Sequence, residues 1–349
     1  MPKERVVVYT SQQEGSDSYD QRWIDNYGIT VIRDRTKILL PTPRVISQLR
    51  KIIVTERIET IWFGAAAPLA LSSRWLRSAG VKRIVALTHG HEVWWSKVPP
   101  FTFLMREMGR SVDSIGYLGE FTRRVLERKV PNEKLVQIAP GIDVDHFTPG
   151  ASEDLKRTLN LENKRVIVSV GRLVHRKGQD RLIEALPKIL TRFPESALLM
   201  IGQGPYRDHL VQLASKLGVS EHVHFIGRIS YEELPQYLRV GELFAMPSRT
   251  RFFGLEVEGL GIVYLEASAA GLPVIAGDSG GAPDAVIQGE TGFVVPGNDV
   301  DAIADRCIEI LENSSLRVSM GESGRQFAME KWRWEKWSEQ FNSLVFGEK

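Results

Sequence analysis

A single cysteine, Cys307, occurs among the 349 residues, so no disulfide can form within the chain. So few cysteines suit a reducing compartment. The sequence also lacks an apolar run near the ~20 residues that a membrane-spanning helix needs. Its first residues, MPKERVVVYTSQQ, contain no apolar signal core. These absences predict a soluble, cytoplasmic protein.

Neither sign of charge dominates, with 45 lysines and arginines against 43 aspartates and glutamates. The balance differs along the chain: residues 1–150 carry 22 basic and 16 acidic side chains, a net charge of +6, and the remainder carries 23 and 27, a net of −4. A mildly basic first half suits an anionic surface such as lipid headgroups. An ordinary solvated surface of mixed charge explains the numbers equally well. We expect no nucleic-acid partner.

Short β-rich segments alternate with helical ones, and the length suits two domains of roughly 150 residues. The first half contains RVVVYTS, IETIWFGA, RIVALTHG, SIGYLGE and LVQIAPG, with helical stretches such as Arg44–Glu56 and Pro68–Ser78 between them. After the turn-rich APGIDVDHFTPGASEDL, the pattern resumes with RVIVSVGRL, ALLMIGQG, VHFIGR, LFAMPS, PVIAGD and GFVVPG. Such alternation predicts βαβ units and parallel sheets covered by helices on both faces.

The predicted fold class is therefore α/β, with two Rossmann-like doubly wound domains that place ligands in a cleft at the carboxyl ends of their strands. We place the N-terminal domain at residues 1–150 and the C-terminal domain at 151–331. The tail KWRWEKWSEQFNSLVF has Trp334, Trp337 and Phe341 at roughly helical spacing. We expect a core-packing helix there, over residues 332–349, which crosses back to the N-terminal domain.

The first candidate site is the segment SVGRLVHRKGQD. A predicted strand ends at Gly171, Arg172 and Lys177 follow, and a helix begins near Gln179. Two cations on a glycine-flanked loop before a helix N-terminus suit a diphosphate. A solvated basic turn is the alternative, so the phosphate interpretation needs a second element nearby.

The segment VEGLGIVYLEASAAGLPVIA supplies that element. Gly259 and Gly261 let backbone N–H groups approach an anion, and a helix beginning near Ile262 adds its positive dipole end. Glu258 stands just before this turn, and Glu266 lies about two helical turns further on. Carboxylates beside a phosphate loop are well placed to accept hydrogen bonds from sugar hydroxyls. The alternative is a helix N-terminal acid followed by a surface glutamate.

A third candidate is LTHGHEVWW, where His89 and His91 follow a predicted strand. The spacing His-x-His-Glu resembles part of a metal site, but no further ligand cluster completes it, so we predict no metal. A structural histidine and a functional one are equally good interpretations of His89.

The segments GRLVHRKGQD, IGQGPY, FIGRIS, LFAMPS and VEGLGIVYLEASAAGLPVIA, in that order, resemble the retaining GT-B glycosyltransferases of family four. Further segments, WFGAAAPLAL, THGHEV, RTRFFGLEVEGLGIVYLEA and GDSGGAPDAV, resemble the GDP-mannose-dependent mannosyltransferases that act on phosphatidylinositol monomannoside. The resemblance begins at about Val6 and covers most of the chain. It implies a metal-independent hexosyltransferase of phospholipid metabolism that needs no cofactor, takes GDP-mannose as its donor, and works on a lipid acceptor as a peripheral protein at the inner face of the cell membrane.

The resemblance also implies a role for each matching residue. Arg172 and Lys177 match the pair that clamps the donor diphosphate, Glu258 the glutamate facing the donor sugar, and Glu266 the one gripping the ribose. His89 matches a histidine that approaches the reaction centre, which makes His89, Arg172, Lys177 and Glu258 the catalytic candidates. The further donor-binding candidates are Arg228 and Ile229 at the nucleobase and Gly259, Leu260, Gly261, Ile262 and Val263 at the sugar and phosphates.

One segment departs from the family. Its members open with a strand, a Gly-Gly loop and a helix, whereas MPKERVVVYTSQQEGSDSYDQRW resembles the family's second strand and the polar segment after it. No Gly-Gly pair occurs before residue 150. We therefore expect the first strand, loop and helix of the family to be missing and an apolar sheet edge to be exposed.

Another segment, WWSKVPPFTFLMREMGR, combines aromatic and basic side chains. Such a combination suits an element that dips into lipid headgroups. The apolar side chains are Trp94, Trp95, Phe101, Phe103, Leu104 and Met105, and the cations beside them are Lys97, Arg106 and Arg110. An amphipathic helix packed on the sheet explains the same pattern.

Two rival functions stay open. The same fold can use a UDP- or ADP-sugar and a different acceptor, because contacts to the base through the backbone leave little trace in a sequence. Alternatively, the chain binds nucleotide sugars without transferring them, because it lacks the Gly-Gly element. A dehydrogenase is disfavoured, because no Gly-x-Gly-x-x-Gly follows the first predicted strand.

Overall fold

The computed structural model describes residues 6–90 and 92–347, which form two compact units. The first unit comprises the described residues of Met1–Tyr117, Leu126–Ile138 and Glu339–Lys349, and the second comprises Leu118–Val125 and Ala139–Ser338. The domain limits inferred from the sequence stay a prediction, because the units are defined by packing and interleave along the chain. His91, one of the two histidines of the THGHEV segment, lies outside the described residues.

The strands of the first unit form two parallel sheets. One pairs β1 (Val7–Ser11) with β2 (Thr30–Asp34), and the other has the order β3 (Thr60–Phe63), β4 (Arg83–Leu87), β5 (Ser114–Tyr117) and β6 (Leu135–Gln137). Five of these strands lie within the segments expected from the sequence, and β2 is an addition. Its helices are α1 (Ser16–Tyr27), α2 (Pro43–Thr55), α3 (Ser73–Arg77), α4 (Val93–Lys97) and α5 (Phe101–Ser111).

The segment with mixed aromatic and basic side chains forms α4 and α5. Trp95 and Met105 are buried in the core of the first unit, and Trp94, Phe101 and Leu104 pack against that core. The packed-helix interpretation therefore holds for these side chains. Phe103 differs, since its side chain is exposed.

The second unit has a single six-stranded parallel sheet among the described residues. The strands are β7 (Arg165–Val170), β8 (Ser196–Ile201), β9 (Val223–Gly227), β10 (Leu243–Met246), β11 (Val274–Gly277) and β12 (Gly292–Val295). Their order is β12-β11-β10-β7-β8-β9, with the chain changing direction across the sheet between β7 and β10. This is the doubly wound order of a Rossmann-like domain, in which ligands bind at the carboxyl ends of the strands near that reversal.

Helices cover both faces of this sheet, with one apolar core on each side. They are α7 (Glu153–Thr158), α8 (Gln179–Arg192), α9 (Arg207–Lys216), α10 (Leu234–Leu238), α11 (Ile262–Ala269), α12 (Val300–Glu312) and α13 (Ser314–Lys331). Another helix, α6 (Glu120–Leu126), precedes them in the chain, and its last residue, Leu126, is buried in the core of the first unit. The strands β7, β8, β10 and β11 are almost wholly buried and form continuous apolar runs, as a sheet covered on both faces requires.

The tail forms α14 (Trp334–Phe346). Trp337 is buried, and its ring centroid lies 5.7 Å from that of Trp332. Phe341 makes an edge contact with Trp62 at 4.5 Å between ring centroids. Core packing is therefore confirmed for Trp337 and Phe341, but it is wrong for Trp334, whose side chain is about half exposed because it lies on the solvent side of the helix.

No helix within the described ranges combines the length and the apolar composition needed to cross a bilayer.

Candidate functional site

Two loops of the second unit meet at the carboxylate of Glu258, and the second of them, between β10 and α11, carries Glu258 itself. The first follows β7 and forms a short 3-10 turn, His175–Lys177, before Gly178 leads into α8. The Nζ atom of Lys177 lies 2.9 Å from Oε2 of Glu258, and Nη1 of Arg176 donates to the same oxygen at 2.7 Å. All three side chains are largely buried. The result is a cluster of two cations and one carboxylate at the carboxyl end of β7, which we call the Glu258 cluster.

Burial and the neighbouring charges determine the protonation state of Lys177. Desolvation lowers the pKa of its ammonium group, and the nearby charges of Arg176 and Arg172 lower it further, while Glu258 raises it. The carboxylate therefore helps Lys177 to stay charged in a site that would otherwise favour the neutral amine. An anionic ligand would support the charged form in the same way.

The backbone of Glu258 is fixed at both ends by the loop that follows β11. Its N–H donates to Oγ of Ser279 at 3.1 Å, and its carbonyl accepts from the N–H of Gly281 at 2.9 Å. A Cβ atom at Gly280 would lie 2.2 Å from the carbonyl oxygen of Glu258, and one at Gly281 would lie 2.0 Å from that of Gly259. The two glycines therefore allow the backbones to pack together and set the position of Glu258.

Gly261 provides the left-handed turn at which α11 begins, with φ of 80°. Behind it, the buried hydroxyl of Tyr264 donates to the carbonyl of Met246 at 2.7 Å, which ties the first turn of α11 to the end of β10. The first N–H groups of a helix have no acceptor within it and attract anions. The expected start of the helix near Ile262 is confirmed. The segment 259–263 therefore includes the N-terminus of α11 and the turn before it.

Glu266 lies in the second turn of α11, and its side chain is partly buried. Burial raises the pKa of its carboxyl group from 4.5 to about 7. Burial also raises the pKa of Tyr231 to about 12, and the charge of Glu266 adds to that shift. The simple surface glutamate that the sequence left open is therefore wrong, because desolvation makes Glu266 a carboxyl group poised to titrate near neutral pH.

The remaining candidates of the second unit lie outside the cluster. Arg172 is exposed, and its carbonyl accepts a hydrogen bond from Nε2 of Gln179 at 3.2 Å. Arg228 is exposed just after β9, whereas Ile229 packs against the apolar core. Their predicted contacts to the diphosphate and the nucleobase stay predictions.

His89 belongs to the first unit, where it follows β4. Its N–H donates to Oε2 of Glu92 at 2.9 Å, and its ring nitrogen Nε2 makes a hydrogen bond with the carbonyl oxygen of Gly64. The side chain is exposed despite these contacts. Within residues 6–90 and 92–347, no group of three or more His, Cys, Asp and Glu side chains could hold a metal ion.

The sequence reasoning missed two arginines near the cluster. Arg176 was not among the candidates from the sequence, which included Arg172 instead, although Arg176 directly precedes Lys177.

Arg249, with only 2% of its surface exposed, follows β10 and donates from Nη2 to Oδ2 of Asp180 at 2.7 Å. Its Nε donates to Nδ1 of His175 at 3.2 Å, and its N–H donates to the carbonyl of Arg176 at 2.8 Å. Arg249 thus fixes the turn that carries both cations, and nothing in the sequence pattern distinguishes it from a surface arginine.

Comparison with known proteins places this site in a family. Residues 151–327 match the model of glycosyl transferases group 1, and residues 3–146 match that of Glycosyltransferase Family 4.

Two curated relatives match nearly the whole chain. A GDP-mannose-dependent alpha-(1-6)-phosphatidylinositol monomannoside mannosyltransferase from Mycolicibacterium smegmatis is 44% identical over 98% of this chain and 90% of its own length. A GDP-mannose-dependent monoacylated alpha-(1-6)-phosphatidylinositol monomannoside mannosyltransferase from Corynebacterium glutamicum is 40% identical over 99% of this chain and 91% of its own length. These matches confirm the resemblance inferred from the sequence segments.

Solved structures match in fold at low sequence identity. HepE from Anabaena, in complex with UDP, has a TM-score of 0.81 at 17% identity and covers 98% of this chain and 100% of its own. Sucrose-phosphate synthase from Thermosynechococcus elongatus has a TM-score of 0.76 at 20% identity and covers 98% of each chain. The likeness concerns the fold alone, and it confirms the predicted GT-B class.

Proposed function

The chain belongs to the group 1 glycosyltransferases, and from this premise we propose that it transfers mannose from GDP-mannose to a phosphatidylinositol mannoside. The observation that carries the proposal is the Glu258 cluster at the carboxyl end of β7, where two cations share one carboxylate. The identity of over 40% to mannosyltransferases of this specificity, across nearly the whole chain, supports the donor and the acceptor.

We assign the donor to the second unit. Lys177 and Arg172 bind the diphosphate, together with the N–H groups of 259–263 at the start of α11. Glu258 accepts hydrogen bonds from the mannose hydroxyls, and Glu266 accepts them from the ribose. Arg228 and Ile229 contact the guanine through their backbones. Arg176 is added to this set, because its hydrogen bond to Glu258 orients the carboxylate.

The proposed chemistry is transfer with retention at the anomeric carbon. The bond between C1 of mannose and the β-phosphate oxygen breaks, and a bond forms between C1 and the acceptor hydroxyl oxygen on the same face. The hydroxyl proton passes to the departing phosphate oxygen. Negative charge develops on the diphosphate, so preorganised cations and helix N–H groups lower the barrier.

We propose that this charge stabilisation needs no metal ion. Lys177 and Arg172 supply positive charge where the leaving group would otherwise need it from a cation. Transfer that persists in excess EDTA would support this proposal, whereas loss of transfer that added Mg²⁺ restores would overturn it. Determination of the anomeric configuration of the product by NMR tests retention.

His89 is proposed to act on the sugar side of the reaction. Its exposed ring at the end of β4 and its hydrogen bond to Gly64 fix its position in the first unit. We expect His89→Ala to lower kcat with little change in the affinity for GDP. His222→Ala serves as the control, because it likewise removes a ring that makes a hydrogen bond with a backbone carbonyl, that of Ser196.

A membrane-peripheral location follows from the proposed acceptor, whose acyl chains stay in the bilayer. The basic balance of residues 1–150 fits an anionic membrane surface. The proposed location is the cytoplasmic face, where the nucleotide sugar is available.

The deciding experiment offers GDP-mannose, UDP-glucose and ADP-glucose separately, each with and without phosphatidylinositol monomannoside, and identifies products by mass spectrometry. A mannosylated lipid formed from GDP-mannose alone is the expected result. A product with another nucleotide sugar would favour the rival donor. Nucleotide binding without any product would favour a binding protein that does not transfer sugar.

A further inference from the structure

A loop beside the Glu258 cluster exposes two phenylalanines in an unfavourable backbone conformation. Phe252, Phe253 and Gly254 have consecutive positive φ angles of 49°, 55° and 86°. The side chain of Phe253 is fully exposed, at 104% of its reference area, and that of Phe252 is 60% exposed. We call residues 252–255 the double-Phe loop.

The loop is held closed at its base. The N–H of Arg251 donates to the carbonyl of Glu256 at 2.9 Å, and the Arg251 guanidinium pairs with the Glu256 carboxylate at 3.1 Å. The same guanidinium lies 4.6 Å from the ring centroid of Phe252. The phenyl rings therefore project from a fixed base.

Neither packing nor local preference explains this arrangement. A bulky residue in the left-handed region is a clear exception, and glycine or asparagine would adopt it more readily. Strain of this kind persists where the surroundings enforce it, and it clusters at functional sites. The two rings are not packed in an apolar core. The strained backbone of the loop therefore holds aromatic side chains exposed at the surface.

The base of the loop is directly linked to the proposed sugar site. Oε1 of Glu256 lies 3.6 Å from Nε of Arg176, whose Nη1 donates to Glu258 at 2.7 Å. Phe253 is also only five residues before Glu258 in the chain. Whatever binds the rings is therefore close to the proposed position of the donor sugar.

We propose that Phe252 and Phe253 insert into the interfacial layer of the bilayer that carries the lipid acceptor. This inference rests on the proposed function, in which the acceptor headgroup must reach the donor sugar held at Glu258 while its acyl chains stay in the membrane. Aromatic rings beside an arginine suit that layer, because the rings bury apolar area and the guanidinium stays among the headgroups. The loop thereby holds the membrane surface at the mouth of the sugar site.

The test uses the full chain with Phe252→Asn and Phe253→Asn together. Asparagine tolerates the left-handed region, so the loop is expected to keep its shape. Val318→Asn in α13 is the matched control, since it removes an exposed apolar side chain of the same unit. Phe253→Trp is the conservative variant and should keep membrane binding.

Binding is measured by cosedimentation with vesicles of phosphatidylcholine and phosphatidylinositol, without any donor. We expect the double variant to bind at least about tenfold more weakly, because it lacks the two rings whose apolar area the bilayer would bury, and the control to bind like wild type. Unchanged binding of the double variant would overturn the inference.

Activity is measured with phosphatidylinositol monomannoside in vesicles and with its deacylated, water-soluble headgroup. We expect the double variant to have a higher KM for the vesicle acceptor only, with an unchanged affinity for GDP-mannose. Equal losses on both acceptors would overturn the inference, because they would indicate contact with the headgroup. If the wild type transfers no mannose, the proposed function fails, and the vesicle assay still decides whether the rings bind a bilayer.

Discussion

Lys177 and Glu258 form a buried ion pair, with 2.9 Å between Nζ and Oε2, at the point where the proposed donor diphosphate binds. A buried ammonium group that already has a carboxylate partner avoids the cost of an unpaired charge. When a diphosphate arrives, the same ammonium gains a second anionic partner, and Glu258 becomes free to turn towards the sugar. The pair therefore prepares both groups for their proposed roles.

The first prediction concerns Glu258→Gln. Removal of the carboxylate leaves Lys177 without its ion-pair partner and Arg176 with only its longer contact to Glu256, so the affinity for GDP should stay equal or increase. Transfer should fall about 100-fold or more in kcat, a loss typical for removal of one group that acts on the transition state. Steady-state kinetics and calorimetric titration with GDP measure the two effects.

Glu256→Gln is the control, because it removes the same charge 3.6 Å from Arg176 but outside the proposed sugar contact. Its kcat should stay within a few-fold of wild type. A parallel loss of GDP affinity and kcat in Glu258→Gln would contradict the assigned role, since it would show that Glu258 merely maintains the fold.

The second prediction concerns the pH dependence of donor binding. The pKa of Glu266 is raised to about 7, and its charged form is the better acceptor for ribose hydroxyls. Affinity for GDP-mannose should therefore increase as the pH rises through neutrality. GDP-mannose suits this measurement because its phosphates do not titrate there. Glu266→Gln should bind more weakly at high pH and show a flat profile, and a sloping profile in this variant would assign the titration to another group.

The third prediction follows from the same pKa but concerns stability. Between pH 4.5, the ordinary value, and about 7, the folded state retains a proton on Glu266 that the unfolded chain releases. The free energy of unfolding should therefore fall as the pH rises through that range, by at most ~3 kcal/mol. Comparison of urea unfolding of the wild type and Glu266→Gln across this range isolates the contribution. Equal slopes for the two proteins would show that Glu266 is solvated.

Most of the second unit could be predicted from the sequence, because apolar strands buried on both faces and their glycine-marked ends are local signals. The starts of α8 near Gln179 and of α11 near Ile262 were identified in this way. In the first unit, β2 was missed because its sequence, TVIRD, is short and ends in charged residues.

The site could be predicted only where a residue of suitable chemistry stood next to a glycine-marked turn in the sequence. Lys177 stands between the strand end at Gly171 and Gly178, Glu258 stands directly before Gly259, and the structure joins the two side chains. The role of Arg249 depends on its distance from Asp180, a residue 69 positions away, so no local pattern reveals it. The raised pKa of Glu266 likewise follows from burial in the folded chain, which no local pattern of the sequence reveals.

The fourth prediction concerns the buried pair of Arg249 and Asp180. Arg249→Met should lower the free energy of unfolding by about 3–5 kcal/mol, because it leaves the Asp180 carboxylate buried without its partner. Urea unfolding measures this. The double variant Arg249→Met, Asp180→Asn should recover part of the loss. Arg251→Met is the control, since its partly exposed pair with Glu256 should contribute less than about 1 kcal/mol.

The last prediction concerns Gly281, whose φ of −88° is open to any residue, so Gly281→Ala changes only the space around it. Its new Cβ atom would lie 2.0 Å from the carbonyl oxygen of Gly259, and the backbone that carries Glu258 must move. A shift of about 1 Å at a reacting group can lower the rate about 100-fold.

We therefore expect a loss of kcat of that order, measured by transfer to the lipid acceptor. Gly218→Ala is the matched control, because its φ of +70° strains an alanine while no atom lies within 4 Å of the new Cβ atom. That control should lower stability by about 1 kcal/mol and leave kcat unchanged. If both variants lose activity in proportion to stability, the close packing of Gly281 against Gly259 supports the fold and has no specific part in placing Glu258.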